Sequence, residues 1–89
     1  MQTLIIDGRD LYGKKELHDY IAKALDFPSY YGANLDALND MLTSRKEITN
    51  IYLLNLDILA DHIGSDYTKK FVKLLMDIEE KNAFLTILR

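Results

Sequence analysis

Two carboxylates, Asp36 and Asp40, stand four residues apart in the run Asn34-Leu35-Asp36-Ala37-Leu38-Asn39-Asp40-Met41-Leu42. On a helix that spacing puts both on one face, opposite an apolar stripe of Leu35, Leu38 and Leu42. Like charges so placed repel by a few tenths of a kcal/mol, roughly. Asp36 gains from its place near the helix N-terminus, whereas Asp40 lies past the first turn, where Asp is a poor helix former. No Lys or Arg between Asp26 and Leu42 relieves the repulsion. Tyr30 and Tyr31 come just before the carboxylates, amphipathic rings of the kind enriched at protein interfaces. Three chemistries are open to such a face: plain solvation, acid–base catalysis by paired carboxylates, or capture of a cationic partner. Nothing in the chain marks a nucleophile, metal or cofactor site, so an enzyme is not expected.

The charge balance favours capture. The chain has 89 residues and a net charge of -3, and Asp26, Asp36 and Asp40 account for all of it; the other 11 acidic residues are balanced by 11 basic ones. An acidic patch disfavours nucleic acid, whose phosphates need Lys and Arg, and steers a basic protein. There is no cysteine, which fits a reducing compartment. Met1-Gln2-Thr3-Leu4-Ile5-Ile6-Asp7 lacks a basic leader region, and no apolar run reaches bilayer length. A cytoplasmic protein is expected, with no membrane contact and no small-molecule substrate. His18 and His62 have no second His or Cys at ligand spacing, so no metal is expected, and the four glycines do not form a phosphate-cradling loop. His18 is expected at the surface, and His62 near a helix C-terminus, where a cation suits the dipole. Tyr12, Tyr20, Tyr52 and Tyr67 are expected at core or boundary positions. Lys69, Lys70 and Lys73 are expected to be solvated on the outer face of the last helix.

The elements that must position these groups follow from pattern. Thr3–Ile6 is a β-prone apolar run closed by Asp7-Gly8, and its unbroken character predicts burial on both faces. Leu17, Tyr20, Ile21, Ala24 and Leu25 recur at helical spacing over Lys14–Leu25, and Pro28 ends that helix. Phe27–Gly32 is an aromatic loop, and Asn34 caps the acidic helix. After a polar connection, Ser44–Glu47, Asn50–Leu54 is a second strand. Asn55 caps a short helix over Leu56–Ile63, which Gly64 stops. Ser65 or Asp66 caps a long helix to about Lys81, with Asn82 as terminator and Phe84–Leu88 as the third strand. Strands alternating with helices predict an α/β domain over residues 1–89, a three-stranded parallel sheet packed with about four helices.

The run Pro28-Ser29-Tyr30-Tyr31-Gly32-Ala33-Asn34-Leu35-Asp36-Ala37-Leu38, then Asp40 and Leu42-Thr43, resembles the signature of barstar-type ribonuclease inhibitors. Ile6-Asp7-Gly8, Leu17-His18 and Leu85-Thr86-Ile87-Leu88 extend the likeness over nearly the whole chain. It implies an intracellular immunity protein that blocks a small, basic, secreted, guanyl-preferring ribonuclease. In that resemblance Asp40 takes the pocket built for a substrate phosphate, and Asp36 meets a Lys or Arg at its rim. Tyr30 lies against the catalytic His, with Asn34 bonding beside it. Thr43 and Asp77 match further contacts, Asp77 in place of a Glu. Asn39 stands where the archetype has a Trp, Ser44-Arg45 replaces a Gly-Trp pair, and Lys81 replaces an acid. These departures sit at the rim and point to a partner that differs there. The alternative is a barstar-like module for a different basic toxin or protein that is not a ribonuclease.

Overall fold

The computed structural model describes residues 1–89. Strands β1 (Gln2–Asp7), β2 (Thr49–Leu54) and β3 (Leu85–Leu88) form a parallel sheet in that spatial order. Helices α1 (Lys14–Ala24) and α2 (Leu35–Thr43) connect the first two strands; α3 (Leu56–Ile63) and α4 (Ser65–Lys81) connect the last two. The expected α/β class and element order are both present. One turn of 3-10 helix at Gly8–Asp10, which the residue pattern did not reveal, follows β1.

The strand order explains where the core lies. Both crossovers step the same way across the sheet, and right-handed crossovers in one direction put all their helices on the same face. Leu4, Ile6, Ile51, Leu53, Leu85 and Ile87 point to that face and are buried against Leu17, Ile21, Leu38, Leu42, Phe71 and Leu75. The alternate positions face outward: Ile5 is 50% exposed, with Tyr52 and Leu54 near 40%. The expected burial of β1 on both faces is therefore wrong. An unbroken apolar run suits a strand covered on two sides, but this topology leaves one side without a layer.

Helix ends follow local chemistry. Asn34 caps α2 as expected, its Oδ1 accepting from the Ala37 N–H at 2.8 Å. Asn55 does not cap α3 with its side chain. It takes a left-handed conformation (φ 54), and its amide donates to Asp7 Oδ1 at 2.9 Å. Neither Ser65 nor Asp66 caps α4; Gly64 ends α3 and also begins α4. With one residue between two helices, the chain must turn sharply, and Gly64 does so at φ 98. Gly8 serves a different purpose. A Cβ there would sit 2.2 Å from the Asn55 carbonyl oxygen and 2.6 Å from the Leu59 nitrogen, so only glycine lets the turn after β1 lie against α3.

His62 lies in the last turn of α3, and its Nδ1 is 3.0 Å from the Gly8 carbonyl and 2.9 Å from that of Leu11. Both partners can only accept, so Nδ1 carries the hydrogen and ties the turn to α3. Tyr12, expected at the core or its boundary, is exposed and stacks on His62 with ring centroids 4.3 Å apart. No helix is long and apolar enough to cross a membrane.

Candidate functional site

The centre of the candidate face is α2. Leu38 and Leu42 are fully buried behind it, which turns Asp36, Asn39, Asp40 and Thr43 outward. Neither Asp36 nor Asp40 has an ion-pair partner within the chain. Thr43 Oγ1 lies 3.4 Å from Asn39 Oδ1, and the Ser44 hydroxyl donates to the Asp40 carbonyl at 2.8 Å, closing the helix end. The face thus offers two exposed carboxylates on a rigid support, with their acceptor sites unused.

At the N-terminal end of α2 the two tyrosines divide the work. Tyr30 is 79% exposed. Tyr31 turns inward, packs on Phe27 at 4.9 Å, and places its hydroxyl 2.6 Å from His18 Nδ1. His18 Nε2 lies 2.7 Å from the Tyr67 hydroxyl of α4. The expected surface position of His18 is overturned: it is 0% exposed. A neutral imidazole donates through one nitrogen and accepts through the other, so one hydroxyl accepts from the ring and the other donates to it. This chain of bonds fastens the aromatic loop to α1 and α4, and so holds Tyr30 out. Ala33 ends the loop at φ 52, a left-handed conformation that costs a residue with a Cβ about 1–2 kcal/mol. The packing of Tyr31 and the Asn34 cap hold it there.

Burial depresses the His18 pKa below its usual 6.5, only partly offset by Asp19. It also pushes the Tyr31 hydroxyl up to about 12, with Tyr67 adding to the effect, and raises Tyr67. A histidine depressed in the folded state binds its proton more readily when unfolded. Its contribution is therefore complete above about pH 6.5 and is lost as pH falls from there through the folded-state pKa. Chemical unfolding across this window should show stability falling by up to about 1.4 kcal/mol per pH unit from this group. His18→Gln should flatten that part of the profile. An unchanged slope would mean the proton goes elsewhere.

The C-terminal end of α2 is fastened by two residues. Arg45 is not displayed at the rim: its side chain is only 13% exposed. Its guanidinium donates to Thr49 Oγ1 at 2.7 Å, Gln2 Oε1 at 2.7 Å and the Leu25 carbonyl at 3.4 Å. Asn82, expected only to terminate α4, is buried. Its amide group donates to the carbonyls of Leu42 at 2.8 Å and Arg45 at 2.9 Å, and its Oδ1 accepts from the Phe84 N–H at 2.9 Å.

Helix α4 runs beside α2. Leu35, Asp36 and Asn39 of α2 and Lys70, Lys73, Leu74 and Asp77 of α4 line one shallow groove of about 340 Å³. Asp77 is half-buried and paired with Lys73 at 3.1 Å. Of the nine positions singled out in the sequence, Tyr30, Asn34, Asp36, Asn39, Asp40, Thr43 and Ser44 follow the loop and helix α2, and Asp77 joins them across the groove. Arg45 alone is directed inward. The sequence pattern missed His18, whose partners lie 13 and 49 residues away, and the hold of Asn82 on the Leu42 carbonyl 40 residues away, and no local spacing reports such contacts. Chemically, the face presents anionic acceptors beside an exposed aromatic ring, which suits a cleft lined with Arg, Lys or His.

Comparison with known proteins places the chain in a family. The family described as Barstar (barnase inhibitor) matches residues 1–86. A curated protein of Bacillus subtilis (strain 168), named "Putative ribonuclease inhibitor YrdF", is 38% identical over 82 residues, covering 91% of this chain and 89% of that protein. The match takes in β1, β2, all four helices, the tyrosine loop ahead of α2 and the first two residues of β3: the chain belongs to the barstar family.

Proposed function

We propose that residues 1–89 act as one cytoplasmic inhibitor domain, an immunity protein that blocks a small, basic, guanyl-preferring ribonuclease of extracellular type. Membership of the barstar family and the inhibitor name of the Bacillus subtilis relative point to ribonuclease inhibition and away from an enzyme. The observation that carries the finer reading is the pair of exposed, unpaired carboxylates on α2 beside the displayed Tyr30. A ribonuclease cleft must be cationic to hold phosphate, so a carboxylate that enters it meets donors already in place. Asp40, at the middle of the exposed face, takes the phosphate position. Asp36 meets a cation at the rim, Tyr30 lies against the catalytic imidazole, and Asn34 bonds beside it. Asn39, Thr43, Ser44 and Asp77 complete the contact.

Mixing the purified chain with guanyl-preferring microbial ribonucleases, and with any small basic ribonuclease encoded nearby, should abolish RNA cleavage at a stoichiometric amount of inhibitor. Full cleavage by every ribonuclease tested would refute the proposal. Association should also slow as salt rises, because exposed steering charges are screened over about 8–10 Å at physiological ionic strength. A salt-independent association rate in stopped-flow mixing would argue against electrostatic steering by α2.

A further inference from the structure

The groove between α2 and α4 is not acidic. Asp36 and Asp77 are offset by Lys70 and Lys73, so the carboxylates lie next to an equal number of cations. The arrangement is fixed at both ends. Tyr67, at the start of α4, is joined through His18 to Tyr31 just ahead of α2, and Asn82, just after α4, holds the carbonyls of Leu42 and Arg45 at the end of α2. The two helices therefore run the same way in a set register. Lys70, Lys73, Leu74 and Asp77 share one face of α4 by their spacing of three, four and seven, and this face borders the candidate binding helix.

The two lysines are not equivalent. Lys73 is held by Asp77 at 3.1 Å, whereas Lys70 has no carboxylate within ion-pair reach. Packed helices lie about 8–10 Å apart, close to the screening length of about 8 Å at physiological salt, so screening weakens the charges of one helix at the surface of the other without cancelling them. A partner that touches α2 therefore feels the Lys70 charge. A uniformly cationic surface gains no net attraction from this groove and is repelled at Lys70. Only a surface that sets cations against the α2 row and an anion against the α4 row gains from both.

We infer that Lys70 is a specificity-determining contact, selecting a ribonuclease that carries a carboxylate at the edge of its cationic cleft. This rests on the ribonuclease reading above and adds to it a requirement on the partner. Juxtaposed like charges reject wrong partners at a cost a matched pair avoids, and Lys70 supplies such a charge.

The test is a charge reversal read by inhibition. A panel of purified small, basic, guanyl-preferring microbial ribonucleases is first screened with the unaltered chain, and the most strongly inhibited one is kept. Lys70→Glu is then compared with Lys69→Glu. Lys69 is also exposed but lines the neighbouring groove on the α3 side of α4, with Leu56, Asp57 and Ala60, and not the groove against α2. Both variants change the net charge equally, so Lys69→Glu controls for long-range attraction. Lys70→Glu should weaken inhibition about 10-fold, mainly through slower association, while Lys69→Glu should leave it within about 2-fold or tighten it. Tighter inhibition by Lys70→Glu, or equal behaviour of the two variants, overturns the inference and leaves the ribonuclease reading intact. If the unaltered chain inhibits no ribonuclease in the panel, that reading fails, and the inference falls with it before any variant is made.

Discussion

Asp40→Ala is expected to weaken ribonuclease inhibition more than any other single substitution on α2, by about 3–5 kcal/mol or roughly a hundred- to several-thousand-fold in Kd. That range for a buried, hydrogen-bonded charge pair is drawn in part from complexes of this family. Asp40 lies at the middle of the exposed face, flanked by Asp36, Asn39 and Thr43. Closing the complex removes water from the centre of an interface first, and a charge pair there is the most fully desolvated. Much of the loss on truncation is the cost of leaving the partner's cations buried and unpaired. Asp36, one turn nearer the rim, keeps more water, so Asp36→Ala should cost less and show mainly in the association rate. Competition assays with both variants check the order. A larger loss from Asp36→Ala would move the centre of the contact towards the tyrosine loop.

Asn82→Ala is expected to lower folding stability by about 2–4 kcal/mol, a large share of the margin of a small domain. Four backbone groups depend on this side chain: the carbonyls of Leu42, Thr43 and Arg45 and the N–H of Phe84. Alanine leaves them without that partner in a place where Asn82 itself is buried, and an unpaired buried polar group costs about 1–3 kcal/mol. For a domain of this size the melting temperature should fall by about 8 °C or more, on the order of 4–8 °C per kcal/mol. The consequence reaches the site, because the same bonds hold the last turn of α2 against α4. Urea denaturation gives the stability directly. A loss under about 1 kcal/mol would mean that water or a shifted backbone replaces the amide.

The parts of the structure written in local sequence were readable as such. Asn34 capping α2, the helical stripe of Leu17 and Ile21, and Gly64 at the end of α3 each depend on neighbours within a few residues. The presentation of Asp36 and Asp40 was readable for the same reason, since the spacing of Leu38 and Leu42 sets which side of α2 faces out. What depends on distant partners was not readable. Thr3–Ile6 looks like a strand buried on both sides, and only the order of the three strands reveals that Ile5 faces solvent. His18 sits among polar neighbours on α1, yet Tyr31 and Tyr67 close over it from two other elements. Arg45 lies in a charged connection, but its guanidinium fits between Gln2, Leu25 and Thr49, which meet only in the folded chain. Lys70 and Lys73 are solvated as expected. Their place beside Asp36 follows from the register of α4 against α2, which no spacing within α4 records.

The claim that the α2 face plugs a ribonuclease cleft is tested most directly by competition with a nucleotide product. Binding of the chain to an inhibited guanyl-preferring ribonuclease is measured at increasing concentrations of guanosine 3′-monophosphate. If Asp40 takes the phosphate position, the two ligands exclude each other, and the apparent Kd for the chain rises in proportion to nucleotide occupancy. Undiminished affinity with the nucleotide bound would show that the chain grips the enzyme outside its active site, and would contradict the account.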